Sequence, residues 1–343
     1  MRRLLFVVLS MAYVAPGAAQ LPDRYYKPVK EVAPTLLPFT ANGVSAALPV
    51  YTSVDWNVPH PELTRAVLIF HGLLRNADVY FESGLQAQSA AGKEGRKAIV
   101  VSPQFLTDYD IKAHNLPAMT LGFGPDSWAG GENAITPGPV SGFAGIDAVL
   151  AHLADRTLFP NINTVIVAGF SAGGQVVQRY AVAGEGEAAL TKAGIATHYV
   201  VSDPSSYLYF DPARPDPKPS CKTQNSWKYG FDADVPPYVT ATPAALEARY
   251  VTRSVVYLVG GDDTDPNHPV LDKSCAGEAQ GPHRFARAHA YFSMIQQRHP
   301  TGINQMLIDV PGIAHEGGKM FNTTCGLAVL FGTKGCAALD GAK

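Results

Sequence analysis

Between Gly169 and Gly173 the chain reads G-F-S-A-G, a serine between glycines where the apolar run TVIVAG (Thr164–Gly169) meets the helix-like run GGQVVQRYAVAG. Glycine removes Cβ atoms where the chain must turn hard. A strand-to-helix turn of this kind lifts the Ser171 hydroxyl above a sheet, with the next N–H and the helix N-terminus facing any negative charge that develops. The chemistry this suggests is nucleophilic. A serine hydroxyl needs a base near neutrality, and the base needs an acid to orient it. In strand–serine–helix arrangements the acid and then the histidine follow, each just beyond a later strand.

Ten histidines compete for the base. His315, in LIDVPGIAHEGGKMF, alone lies in a glycine-bearing loop shortly after the last apolar strand. His268, His283, His289 and His299 come too early or on helix-like runs, and His60, His114, His152 and His198 precede the acid region. The acid is expected after SVVYLVG, in GGDDTDPNHP. Asp263 stands three residues beyond Gly260, with Asp262 as its rival. Asp263, Asp265 and Asn267 alternate like the start of a calcium loop, but His268 stands where that loop needs glycine and Ser274 where it needs glutamate. For an oxyanion, the amide of Ala172 follows the nucleophile, and a second is expected from Leu73 in HGLLRNADVY after the strand RAVLIF. His71 reads as support for that loop.

Positioning these residues takes an α/β scaffold. RAVLIF (Arg65–Phe70), KAIVVSP (Lys97–Pro103), TVIVAG, THYVVSDP (Thr197–Pro204), SVVYLVG (Ser254–Gly260) and NQMLIDVPG (Asn304–Gly312) are rich in Val, Ile and Leu without alternation, as are strands covered on both faces of a mostly parallel sheet. GFAGIDAVLAHLAD (Gly142–Asp155), the run after Ser171, and HRFARAHAYFSMIQQRH (His283–His299) carry helical periodicity. A Pro- and aromatic-rich excursion, Pro204 to about Pro243, breaks the alternation and reads as an ordered wall or lid near the site, or as surface decoration. Its Tyr207, Tyr209, Trp227 and Tyr229, with Trp128, either floor a pocket for a bulky acyl or alcohol group or pack loops against the domain.

The 343 residues carry a formal charge of −2, and no strong basic run is present, which argues against nucleic acid or anionic membranes as partners. MRRLLFVVLSMAYVAPGAAQ orders basic, apolar and small residues as a secretory signal does, cleaved near Ala19, leaving 20–343 as one domain without a membrane span. The protein is expected in the periplasm or outside the cell. Four cysteines fit that compartment: Cys325 and Cys336 close a short loop, so local pairing leaves Cys221 with Cys275 among three possible frameworks. There is no C-x-x-C pair and no matched histidine spacing for zinc.

HGLLRNADVY, GFSAGGQVVQRYA, DPSSYLYFDPARP, WKYGFD, GGDDTDPNHPVLDKSCAGEAQGPHRFAR and AHEGGKMF together resemble the α/β-hydrolase superfamily over residues 45–330, and within it a group of secreted microbial hydrolases. The resemblance implies a Ser171, Asp263, His315 triad in an exported, disulfide-bearing enzyme. Phe170 stands where the group has histidine, and Asp203 where it has asparagine. The expected reaction is hydrolysis of carboxylic esters through an acyl-enzyme, without metal or organic cofactor. Amide or peptide hydrolysis by the same triad, or a non-catalytic binding module on the scaffold, are the alternatives.

Overall fold

A computed structural model describes residues 23–340; the expected leader, residues 1–19, lies outside the described residues. One sheet contains β1 (Thr35–Ala41), β2 (Val44–Thr52), β3 (Arg65–Phe70), β4 (Ala98–Pro103), β5 (Thr164–Phe170), β6 (Ala196–Ser202), β7 (Ser254–Gly260) and β8 (Gln305–Val310), in the spatial order β1-β2-β4-β3-β5-β6-β7-β8. β1 and β2 form an antiparallel hairpin that joins β4 antiparallel; the other pairings are parallel. The hairpin carries the sheet further toward the N-terminus than the motif-bearing region beginning near residue 45.

The unalternating strands are those buried on both sides. Ala66, Leu68 and Phe70 of β3 join one apolar cluster, while Val67 and Ile69 join the other. The first is covered by α2 (Gly142–Leu153), α3 (Ala172–Ala183), α4 (Pro243–Tyr250) and α5 (Arg284–Arg298); the second is covered by α1 (Ala77–Ala90) and α6 (Thr324–Phe331). Helix starts follow capping chemistry. The Ser141 and Thr242 hydroxyls accept from Phe143 N–H and Ala245 N–H, and the His283 ring nitrogen accepts from Ala286 N–H, at 3.1, 3.3 and 3.2 Å.

Register decides where the site lies. Phe70 pairs with Gly169, Phe170 with Ser202, and Val310 with Gly260, so β3, β5, β6, β7 and β8 end nearly level. The residues that follow them, from His71 through Ser171, Asp203 and Asp263 to His315, emerge along one edge.

Residues 204–242 contain no helix or strand, yet are held on both flanks. Toward the loop after β7, Cys221 is bonded to Cys275, the Gln280 side chain bridges the N–H and C=O of Tyr207 at 2.8 Å each, and Tyr229 donates to Asp272 at 2.8 Å. Toward the loop after β4, Trp227 donates to the Gly130 carbonyl and Lys228 pairs with Asp126, both at 2.9 Å. Trp128, Tyr207, Tyr209 and Trp227 follow the packing alternative, as members of the main core cluster, while Tyr229 is half-buried against Asp272. The second disulfide joins Cys325 and Cys336. Among the described residues no helix is long and apolar enough to cross a membrane.

Bridges spanning 54 and 11 residues constrain the unfolded chain by about 4 and about 3 kcal/mol, respectively. The Cys221→Ser/Cys275→Ser protein is therefore expected to lose more stability than Cys325→Ser/Cys336→Ser. Non-reducing guanidinium denaturation checks this; the reverse order would show that the excursion is held by its non-covalent contacts.

Candidate active site

Ser171 occupies the turn between β5 and α3 with φ of 58°, in the left-handed region that costs a non-glycine residue on the order of 1–3 kcal/mol. The strand and helix enforce this turn by their closeness. A Cβ on Gly169 would lie 2.3 Å from the Gly173 carbonyl oxygen, and one on Gly173 would lie 2.2 Å from that of Phe70. The Ser171 N–H donates to the Ser202 carbonyl at 3.0 Å, which fixes the turn against β6.

His315 reaches Ser171 from the loop after β8, which turns at Gly312 with φ of 74°. The Ser171 hydroxyl donates to His315 Nε2 at 2.9 Å, and His315 Nδ1–H donates to Asp263 Oδ2 at 2.7 Å. Asp263 is presented by a turn in which its N–H donates to the Gly260 carbonyl at 3.1 Å. Its carboxylate is buried, whereas that of Asp262 faces solvent, so the structure brings Asp263 and not its neighbour to the imidazole. Phe170 packs its ring 4.7 Å from that of His315, and His268 crosses the same imidazole nearly edge-on at 4.9 Å.

Electrostatics follow from burial. Desolvation pushes His315 down to about 4; the Asp263 hydrogen bond opposes the shift, while Arg284 and His268 add to it. Burial pushes Asp263 up, but its hydrogen bond to His315 and the charges of His315 and Arg284 outweigh that and hold it below the usual carboxylate range. Arg284, on a run that looks like any amphipathic helix, gave no sign in sequence that its guanidinium turns inward, because arginines on helices usually face water.

The loop after β3 is tied down by polar contacts. His71 Nδ1–H donates to the Gly72 carbonyl at 2.8 Å, and its Nε2 accepts from Phe105 N–H at 3.0 Å, so both nitrogens are committed and the ring is structural. Arg75 anchors the same loop through a buried pair with Asp110 at 2.7 Å. Leu73 lies in this loop and Ala172 is the first residue of α3, where an N–H has no intrahelical partner.

No family profile and no curated protein matches the chain. Solved structures do. A poly(3-hydroxybutyrate) depolymerase from Bordetella parapertussis is similar with a TM-score of 0.61 and 22% identity, covering 92% of this chain and 96% of that one. A poly(aspartic acid) hydrolase-1 from Sphingomonas sp. KT-1 is similar with a TM-score of 0.56 and 23% identity, covering 84% and 96%. The chain has the α/β-hydrolase fold. In this α/β-hydrolase fold the excursion leaves the sheet after β6, just beyond Asp203.

Asp203 is a second buried carboxyl, with φ of 42°, accepting from Gly260 N–H at 3.0 and 3.2 Å. Burial, with the Asp263 charge beside it, raises its pKa well above the ordinary value. A raised folded value means that its stabilising contribution is complete below the unfolded pKa of about 3.9 and is lost as pH rises. Asp203→Asn keeps the acceptor oxygen and removes that loss. Its melting temperature should match wild type near pH 4 and exceed it increasingly toward pH 8; an Asn variant that is less stable at pH 8 would mean the carboxyl is ionised.

Proposed function

We propose that this protein is a serine hydrolase of carboxylic esters that works through an acyl-enzyme. The observation that carries the reading is the continuous hydrogen-bonded line from Ser171 through His315 to Asp263 at the strand ends. His315 takes the Ser171 proton as the hydroxyl oxygen attacks the acyl carbonyl carbon, and the carbonyl oxygen becomes an oxyanion facing the Leu73 and Ala172 amides. The imidazolium, stabilised by Asp263, then protonates the leaving alcohol. Water, losing its proton to His315, attacks the acyl-enzyme and releases the acid, restoring Ser171. Each oxyanion donor is worth about 2.7–4 kcal/mol of transition-state stabilisation.

Export through a cleaved leader fits this reading, because both disulfides need an oxidising compartment. The similar structures carry names with polymeric substrates, so 3-hydroxybutyrate oligomers and poly(aspartic acid) belong in the substrate panel beside p-nitrophenyl esters of rising chain length and their matched anilides.

Ser171→Ala should lower ester turnover by at least roughly 10⁴-fold while the protein stays folded. Full activity in that variant would remove the assignment, and anilide turnover exceeding that of esters would replace it with amide hydrolysis. Asp263→Asn should cost about 10⁴-fold in kcat. Asp262→Asn, at an exposed position, should change it by less than about 2-fold; the opposite ranking would exchange the two acids. Because the base must be unprotonated, kcat/KM should hold from neutrality down toward pH 5 and fall around pH 4. An acid limb near 6.5 would contradict the buried imidazole.

A further inference from the structure

Arg284 is the first residue of α5, where the helix macrodipole disfavours a cation, and its side chain is 0% exposed. Helix energetics therefore do not explain the residue. Its contacts do: Nη1 donates to Asp263 Oδ1 at 3.3 Å, Nε to the Ser205 hydroxyl at 3.0 Å and Nη2 to the Val270 carbonyl at 2.9 Å. One guanidinium thus joins the acid's turn, the start of the excursion and the loop after β7. Because Arg284 occupies Oδ1 of Asp263, Oδ2 is the oxygen turned to His315.

We propose that Arg284 is a positioning residue for the hydrolysis described above: it locks the orientation of the Asp263 carboxylate and places a fixed positive charge behind the imidazole that opposes its protonation. The charge acts in two ways. It repels a second cation directly, and by binding Asp263 it leaves less of that carboxylate's negative charge to stabilise an imidazolium. Arg284 faces Asp203, Asp263 and Asp272 as acids and Arg287 as a second cation, Asp263 also faces His283, and the imidazole faces Asp263, Arg284 and His268. The low value reached by His315 accords with this arrangement. The consequence is an enzyme whose base stays available in acidic surroundings.

The test uses Asp203→Asn as reference, because removing Arg284 alone would leave two buried carboxyls without their cation. In that background Arg284→Gln and Arg284→Lys are compared by two readouts, NMR titration of the His315 ring and the acid limb of kcat/KM on p-nitrophenyl acetate. The Gln protein should show both midpoints raised by about one pH unit, and Lys, which keeps the charge, should restore most of the difference. A folded Gln protein with unchanged midpoints and only a lower kcat would overturn the proposal and make Arg284 a structural strut. A shifted NMR midpoint in proteins that never turn over ester would uphold the electrostatic coupling and overturn the hydrolase reading.

Discussion

A carboxylate taken out of water costs several kcal/mol unless cations and hydrogen-bond donors replace its hydration, and Asp263, 3% exposed, meets that condition. His315 satisfies one oxygen and Arg284 the other. Much of what surrounds the site serves these two contacts. β8 must end level with β7 so that the loop after it can return an imidazole, α5 must begin where its first side chain can reach inward, and the excursion must bring Ser205 to the same guanidinium.

The second buried acid makes this balance tighter. Asp203 lies next to Asp263 and, among the described residues, takes one backbone donor, Gly260 N–H, on its oxygens. One nearby guanidinium cannot neutralise two carboxylates, so the cheaper state keeps the proton on Asp203 and the negative charge on Asp263. The acid facing the imidazole is thereby the ionised one, which is the state a base-orienting acid needs.

The loops at the strand ends are held by different chemistry on each side of Ser171. The loop after β3 is held by committed polar contacts, from both nitrogens of His71 and the buried Arg75–Asp110 pair. The excursion is held by aromatic burial, one disulfide and the Gln280 bridge. Preorganisation of this kind matters for acyl transfer because donors aimed at a developing oxyanion contribute only if they need not reorganise during the reaction.

The α/β class, the buried strands, the turn around Ser171 and the choice of His315 were legible in the residues themselves, because they rest on local rules: unalternating Val and Ile runs, glycines where Cβ atoms would collide, and a loop glycine beyond the last strand. The β1–β2 hairpin went unread, since β1 is only partly buried and the buried stretch of β2, AALPV, is rich in alanine and broken by proline where the other strands have Val and Ile runs. The choice between Asp262 and Asp263 needed the fold. Adjacent residues of one type differ only in the direction a turn sends them, and the Gly260 turn points one at the imidazole and the other at water. Tyr207 and Tyr209 of the excursion likewise had two destinations, and packing against Tyr291 of α5 decided for the core. Arg284 lay beyond sequence altogether, because an arginine opening a helix looks solvated until the acid that it faces, 21 residues earlier, is folded onto it.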